Sequence, residues 1–248
     1  MISGAGEGLV LRTWPLRESD RIVTILTEEH GKVRGVAHGA TSPRSRWAGA
    51  LEPLTEVAVG WRLKEGQDLV NFREVSLLSS PYRHSPSLET IAVLAFLAEL
   101  ADESTAQDDP DPLLLRLLRS CEAALRTGAD PRSVTRFAQA WVLRLSGLLP
   151  ELDACAACGA DLGSDGGTWS WVHHGLACSG CVHDERETGA PARAEDLDWV
   201  RQTRHRKVED LPVPSQAMGR RLGALLRGLQ EEQLGKRLKS ESFLERLL

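Results

Sequence analysis

A chain of 248 residues with 42% hydrophobic and 26% charged side chains is long for one core and suits two or three small modules. Its net charge of −5 excludes overall basicity as a source of nucleic-acid affinity, so any such binding must come from local clusters. There is no run of eighteen apolar residues to span a membrane, and the opening MISGAGEGLVLR has no basic-then-apolar export signal, so a cytoplasmic protein is expected.

The first eighty residues predict five short strands, rich in Val, Ile, Thr and Trp: Gly8 to Trp14, Arg21 to Thr27, Lys32 to Gly39, Leu54 to Leu63 and Asp68 to Ser79. Three strands, a gap from Ala40 to Pro53 that holds a loop or one helical turn, and two more strands follow the order of an OB-fold barrel, with an SH3-like barrel as the runner-up. Alternation along the third strand puts Lys32, Arg34, Val36 and His38 on one face. Val10, Arg12 and Trp14 share a face of the first strand, and Arg44, Arg46 and Trp47 crowd the gap. Cations interleaved with indoles suit a single strand, whose phosphates need neutralising and whose bases stack on π surfaces. The competing reading is a mixed solvated surface, because ten Lys/Arg before residue 81 are matched by ten Asp/Glu.

Beyond Ser80 the period changes. Pro86, Pro112 and Pro131 each follow a capping residue (Ser85, Asp111, Asp130) and open an apolar run, which predicts three helices. The first, Ser87 to Glu103, is apolar nearly all round and is expected to be central. The third carries Val134, Phe137, Ala138, Trp141, Leu145 and Leu148 on one stripe and is expected to end at Pro150. The acidic Ala106 to Pro112 reads as a solvated linker. Cys121 falls among Leu114, Leu117, Leu118 and Leu125 at helical spacing, as a buried thiol.

The next stretch carries the most specific motif. Cys155 and Cys158 form one CxxC pair, and Cys178 and Cys181 form a second after nineteen intervening residues. Two such knuckles complete the sulfur tetrahedron that Zn²⁺ accepts, and four thiolates leave no open position, so the metal is expected to be structural. Gly159, Gly175 and Gly180 sit beside the knuckles, where N–H groups turn toward the sulfurs. A disulfide pair needs an oxidising compartment, a dithiol redox site needs one CxxC rather than two, and a deaminase needs His-x-Glu ahead of its cysteines, whereas His183 and Glu185 follow them. His173, His174 and His183 are alternative ligands, weighed against exposed loop histidines. A zinc-dependent hydrolase lacks HExxH and a vacant metal position.

Ala194 to Lys207 predicts a helix whose end gathers Arg201, Arg204, Arg206 and Lys207 as a second basic patch, suited to the helix dipole or to phosphate. A further amphipathic helix is expected from about Ser215, with Met218, Leu222, Leu225, Leu226 and Leu229 inward. Lys236, Arg237 and Lys239 precede an apolar tail. The expected organisation is multidomain α+β: an OB-fold β-barrel at 1–80, the first part of a helical bundle at 81–150, an inserted four-cysteine zinc-binding module at 151–192, and C-terminal helices completing the bundle at 193–248.

Three segments, GLVLRTWPLRESDRIVTILTEEHGKVRGVAHGA, PELDACAAC with its partner CSGC, and LGKRLKSESFL, resemble the bacterial recombination mediator family RecO along essentially the whole chain. The resemblance implies a non-enzymatic, nucleoid-associated DNA-repair protein with an N-terminal OB-fold, a helical bundle and a zinc insertion. It implies binding to single- and double-stranded DNA, strand annealing, partnership with RecR and the C-terminal tail of single-strand-binding protein (SSB), and indirect action on RecA. It also implies DNA contacts at Lys32, Arg34, Arg44 and Arg46, joined by Arg12 and Trp47 from the reading of the strands, and zinc ligation by the four cysteines. His38 departs from the family's usual lysine or arginine, which implies weaker or pH-sensitive binding at the barrel. The rival from another class is a zinc-ribbon adaptor that binds only proteins.

Overall fold

The computed structural model describes residues 2–42, 45–184 and 188–248. The chain forms two compact units, Met1–Arg126 with Ser240–Leu247, and Thr127–Lys239 with Leu248.

The first unit is built on a closed five-stranded barrel of order β1-β2-β3-β5-β4, made by β1 (Ile2–Pro15), β2 (Arg21–Thr27), β3 (Gly31–Ala37), β4 (Glu56–Leu63) and β5 (Val70–Ser79). This is the OB arrangement. β1 is longer than predicted because one strand serves two neighbours. Its first half pairs with β4 and its second half with β2, and a bulge between Val10 and Arg12 supplies the bend. Val10, Val23, Ile25, Val33, Val57, Val59, Trp61, Val70 and Phe72 fill the barrel, so Val10 points inward and does not share the face of Arg12 and Trp14 as expected, because the bulge after it shifts the alternation. Closure comes from a short parallel pairing of β3 with β5 at Gly35 and Val70. A Cβ on Gly35 would lie 2.4 Å from Val70 Cγ2 and 2.5 Å from the Val70 carbonyl oxygen, so the close approach requires glycine.

Helix α1 (Leu88–Ser104) packs on β1 and buries eight residues from Ala92 to Ala101, in keeping with its all-round apolar pattern. Its cap is Ser87, which accepts from the Thr90 N–H, and not the predicted Ser85. Ser85 instead takes a left-handed conformation that closes a short 3-10 turn at Pro81–His84. Asp111 and Asp130 cap α2 (Pro112–Arg126) and α3 (Pro131–Leu145) as expected, accepting from Leu114 N–H at 2.8 Å and Ser133 N–H at 2.9 Å. The segment read as a solvated linker is exposed, as expected, and is also anchored, since Asp108 N–H donates to the Lys32 carbonyl.

In the second unit α3 stops five residues before Pro150, because Gly147 at φ +71° ends it in a left-handed turn, leaving Leu148 exposed. A three-stranded sheet of order β7-β6-β8 follows, which the short strands β6 (Gly167–Ser170), β7 (Gly175–Ala177) and β8 (Thr188–Ala192) did not announce in sequence. Helix α4 (Ala194–Gln202) is shorter than predicted, so Arg204, Arg206 and Lys207 lie beyond its end. Helix α5 (Gln216–Leu234) packs on α3 and on β8, and α6 (Lys239–Leu247) returns the chain to the first unit. Asp196, fully buried, receives a bidentate contact from Arg221 at 2.7 and 2.8 Å that ties α4 to α5. Barrel, helical bundle and four-cysteine module are thus the parts read from the sequence.

Candidate nucleic-acid interface and four-cysteine centre

The face predicted on β3 exists. Lys32, Arg34 and Val36 point outward while Gly31, Val33, Gly35 and Ala37 are buried. The register aligns Arg12, Thr24 and Arg34 across β1, β2 and β3, with Thr24 buried between the two arginines. Arg34 is exposed, with its guanidinium 4.6 Å from the Trp14 ring centroid, so a cation and an indole are presented together.

The other two candidate cations of these strands, Arg12 and Lys32, are held by α1. Arg12 meets Asp102 at 3.2 Å and Glu103 at 3.3 Å, and Lys32 Nζ reaches Asp102 at 3.4 Å and donates to its carbonyl at 2.5 Å. Acidic side chains and free carbonyls both place negative charge at the C-terminal end of a helix, and two cations are the natural counterweight. Arg12 therefore keeps 38% of its side chain exposed, and Lys32 only 17%. The sequence did carry this signal: Glu99, Asp102 and Glu103 recur at helical spacing on one side of the predicted helix.

In the loop before β4, Arg46 is exposed and donates through Nη1 to the Arg73 carbonyl, which brings a further exposed arginine beside it that strand reading did not single out. Trp47 is 2% exposed and packs edge-on against Phe72, so it belongs to the barrel core and has no face for a base. Arg44 lies outside the described residues. His38 bridges Asp20 through Nδ1 at 3.0 Å and Asn71 Oδ1 through Nε2 at 3.1 Å. The Gly39 N–H and the His38 ring hold the Asp20 carboxyl below its ordinary value.

The cysteines converge. The four Sγ atoms of Cys155, Cys158, Cys178 and Cys181 all lie within 4.8 Å of one another, with Cys158 and Cys178 at 3.8 Å. A disulfide requires about 2.05 Å, whereas Zn–S bonds of about 2.3 Å at tetrahedral angles give sulfurs about 3.8 Å apart. The fit is therefore to a metal. The fold builds it locally: Gly159 N–H donates to the Cys155 carbonyl in the first knuckle, Cys181 N–H to the Cys178 carbonyl in the second, and Ala156 N–H to Leu176 ties the first knuckle to β7. Burial alone would raise the Cys155 thiol, but N–H groups of Cys178, Cys158 and Ala157 outweigh it and bring it down to about 6, while hydrogen bonds from Cys158 and Cys178 push Cys181 up to about 12. Four sulfurs this close carry four negative charges only around a cation. None of the three nearby histidines is in the cluster; His174 instead meets Glu232 at 3.5 Å.

Comparison with known proteins decides the family. The model described as "Recombination protein O N terminal" matches residues 1–81, and "Recombination protein O C terminal" matches residues 85–242. A "DNA repair protein RecO" of Anaeromyxobacter sp. (strain Fw109-5) is 36% identical over 96% of this chain and 94% of its own length. The proteins of the same description from Geobacter sulfurreducens and Geobacter metallireducens are 35% and 32% identical, covering 97% and 100% of this chain and 97% and 99% of their own. The chain belongs to the RecO family. Membership places it among DNA-repair and recombination mediators that catalyse no reaction of their own.

In this RecO-family chain the second basic patch is not one surface. Arg201 is paired on three sides, with Nε 2.6 Å from Asp153 as an ion pair without hydrogen-bond geometry, Nη1 on Asp198 at 2.5 Å and Nη2 on the Leu152 carbonyl at 2.6 Å, and so anchors α4 to the segment before Cys155. Arg204, Arg206 and Lys207 are exposed. Arg237 pairs with Glu231 at 3.8 Å. Among the described residues no helix is long and apolar enough to cross a membrane.

Proposed function

We propose that this RecO-family chain binds single- and double-stranded DNA on the outward face of its barrel, anneals complementary strands, and with RecR helps load RecA onto SSB-coated DNA. The observation that carries the reading is Arg34 lying over Trp14 on an exposed barrel face, since a guanidinium meets phosphate while an indole offers a base a stacking surface. In this reading residues 1–80 are the DNA-binding domain, helices in 81–150 and 193–248 form the bundle, and 151–192 are the zinc module. The contacts are Arg34 and Arg46 first, then Lys32 and Arg12 once they leave α1, with Arg44 and the exposed Arg204, Arg206 and Lys207 as auxiliaries. Annealing makes and breaks no covalent bond; it needs a surface that holds two strands close without reading sequence, which phosphate contacts provide.

Cys155, Cys158, Cys178 and Cys181 would hold a Zn²⁺ ion, which supplies a cross-link between the two knuckles and no open position for chemistry. The chain's own contribution is the turn geometry that presents four sulfurs to one point. The test of DNA binding is anisotropy of labelled single- and double-stranded oligonucleotides titrated at several salt concentrations. Binding that weakens steeply with salt supports the reading. A second reading, a zinc-ribbon adaptor for proteins, is favoured by one observation: two of the barrel's candidate cations, Arg12 and Lys32, are already neutralised. An absence of DNA binding at low salt, with RecR or SSB-tail binding intact, would decide for it.

A further inference from the structure

The second unit contains a cavity of about 480 Å³ between the end of α3, the turn that follows it and the residues closing α4. Arg144 and Arg204 both line it. Arg144 lies with its guanidinium 4.7 Å from the Trp141 ring centroid and donates Nη2 to Thr203 Oγ1 at 3.2 Å and to the Val200 carbonyl at 3.4 Å. Its Nη1 is buried with no hydrogen-bond partner. Burial, and then the neighbouring charge of Arg204, pull the Arg144 guanidinium below its ordinary pKa. Two like charges facing one cavity without a counter-ion are costly, as is a buried donor left unpaired.

The carboxylates at the rim do not resolve this. Asp153 is occupied by Arg201, and Glu151 Oε1 accepts the N–H groups of Leu152 and Asp153 at 3.0 and 3.2 Å. Among the described residues neither Arg144 nor Arg204 has a carboxylate within ion-pair distance. His205 also lines the cavity, and Leu149, Pro150 and Leu152 add apolar surface to it.

We propose that this cavity is a phosphate-monoester site of nucleotide size, in which Arg144 and Arg204 grip the phosphate and the Leu149–Leu152 wall receives the sugar or base. A dianionic, tetrahedral group matches two guanidinia arriving from different elements better than a single carboxylate does. The volume falls in the range of small-molecule sites. The cavity belongs to the second unit and shares only Arg204 with the DNA contacts proposed above, so monophosphate binding is read without DNA present. Its phosphate has two possible sources, a strand end or a free nucleotide.

The test uses the full chain at constant ionic strength, titrated calorimetrically with deoxyadenosine monophosphate, with inorganic phosphate, and with one oligonucleotide carrying either a 5′-phosphate or a 5′-hydroxyl. The expected result is saturable binding of the monophosphate that Arg204→Ala weakens by about tenfold, while Arg220→Ala, an exposed arginine of the same unit outside the cavity lining, leaves it unchanged. Arg144→Lys, which keeps the charge but loses the fork, is expected to weaken it without unfolding the chain, as monitored by circular dichroism. Tighter binding of the 5′-phosphorylated strand than of its hydroxyl twin assigns the site to strand ends; equal binding of the two strands alongside monophosphate binding assigns it to free nucleotides. No monophosphate binding, binding indifferent to Arg204→Ala, or an acidic peptide held through Arg204 in place of the monophosphate overturns the proposal.

Discussion

Replacing Arg34 by Ala separates a DNA-binding face from a solvated mixed surface. Arg34 has no carboxylate partner among the described residues, so its charge is available to a phosphate in a way that those of Arg12 and Lys32 are not. Each phosphate contact to a single strand contributes about 0.7 to the slope of log affinity against log salt. Raising salt fourfold should therefore cost the variant about 2.6-fold less affinity than it costs the wild type, a difference that titrations at four or five salt concentrations resolve. Stability should fall by no more than roughly 1 kcal/mol, the worth of an exposed cation–π contact. Lys32→Ala gives the internal contrast: its ammonium is committed to Asp102, so the slope should change less and stability more. Anisotropy of a labelled oligothymidine is a sufficient assay. A slope identical to wild type, in a variant that is folded, would refute the assignment of Arg34 to the interface.

Further expectations follow from other parts of the fold. Chelation, or Cys158→Ser, should remove one zinc per chain by atomic absorption and unfold the knuckles, while near-ultraviolet signals from the separate barrel unit persist. Gly35→Ala should cost roughly 3 kcal/mol in urea unfolding, because its Cβ would meet the Val70 carbonyl oxygen, which cannot swing away, as well as the Val70 and Phe72 side chains packed in the barrel. Asp20 has its carboxyl lowered below 3.8 in the folded chain, so its contribution to stability is present above that value and is lost as pH falls through the folded pKa. The stability gap between wild type and Asp20→Asn should therefore close under acid, and a gap that widens there would contradict the hydrogen bonds drawn to it from Gly39 and His38.

The barrel was legible because β3 and β4 alternate with period two and the turns carry turn residues; β2 and β3 appear within a residue or two of their expected bounds. The cysteine centre was legible because its spacing states a geometry. What sequence could not show is which outward cations are free. Arg12, Lys32 and Arg34 read alike along their strands, and only the packing of α1 distinguishes them. Trp47 misled in the other direction: a tryptophan among arginines in a loop reads as a stacking platform, yet the loop folds it into the core against Phe72. The end of α3 was overrun because Leu148 continued the apolar stripe past Gly147, where backbone conformation, not hydrophobic pattern, sets the stop. The small sheet beside the cysteines has strands of three to five residues, too short for a period to register.

The measurement that bears most directly on the account is annealing of complementary oligonucleotides coated with SSB, with and without this protein, at low and at moderate salt. The account predicts acceleration by the wild type that fades with salt and is weaker for Arg34→Ala. No acceleration at either salt, from folded protein holding its metal, would contradict it and leave the protein-binding adaptor in its place.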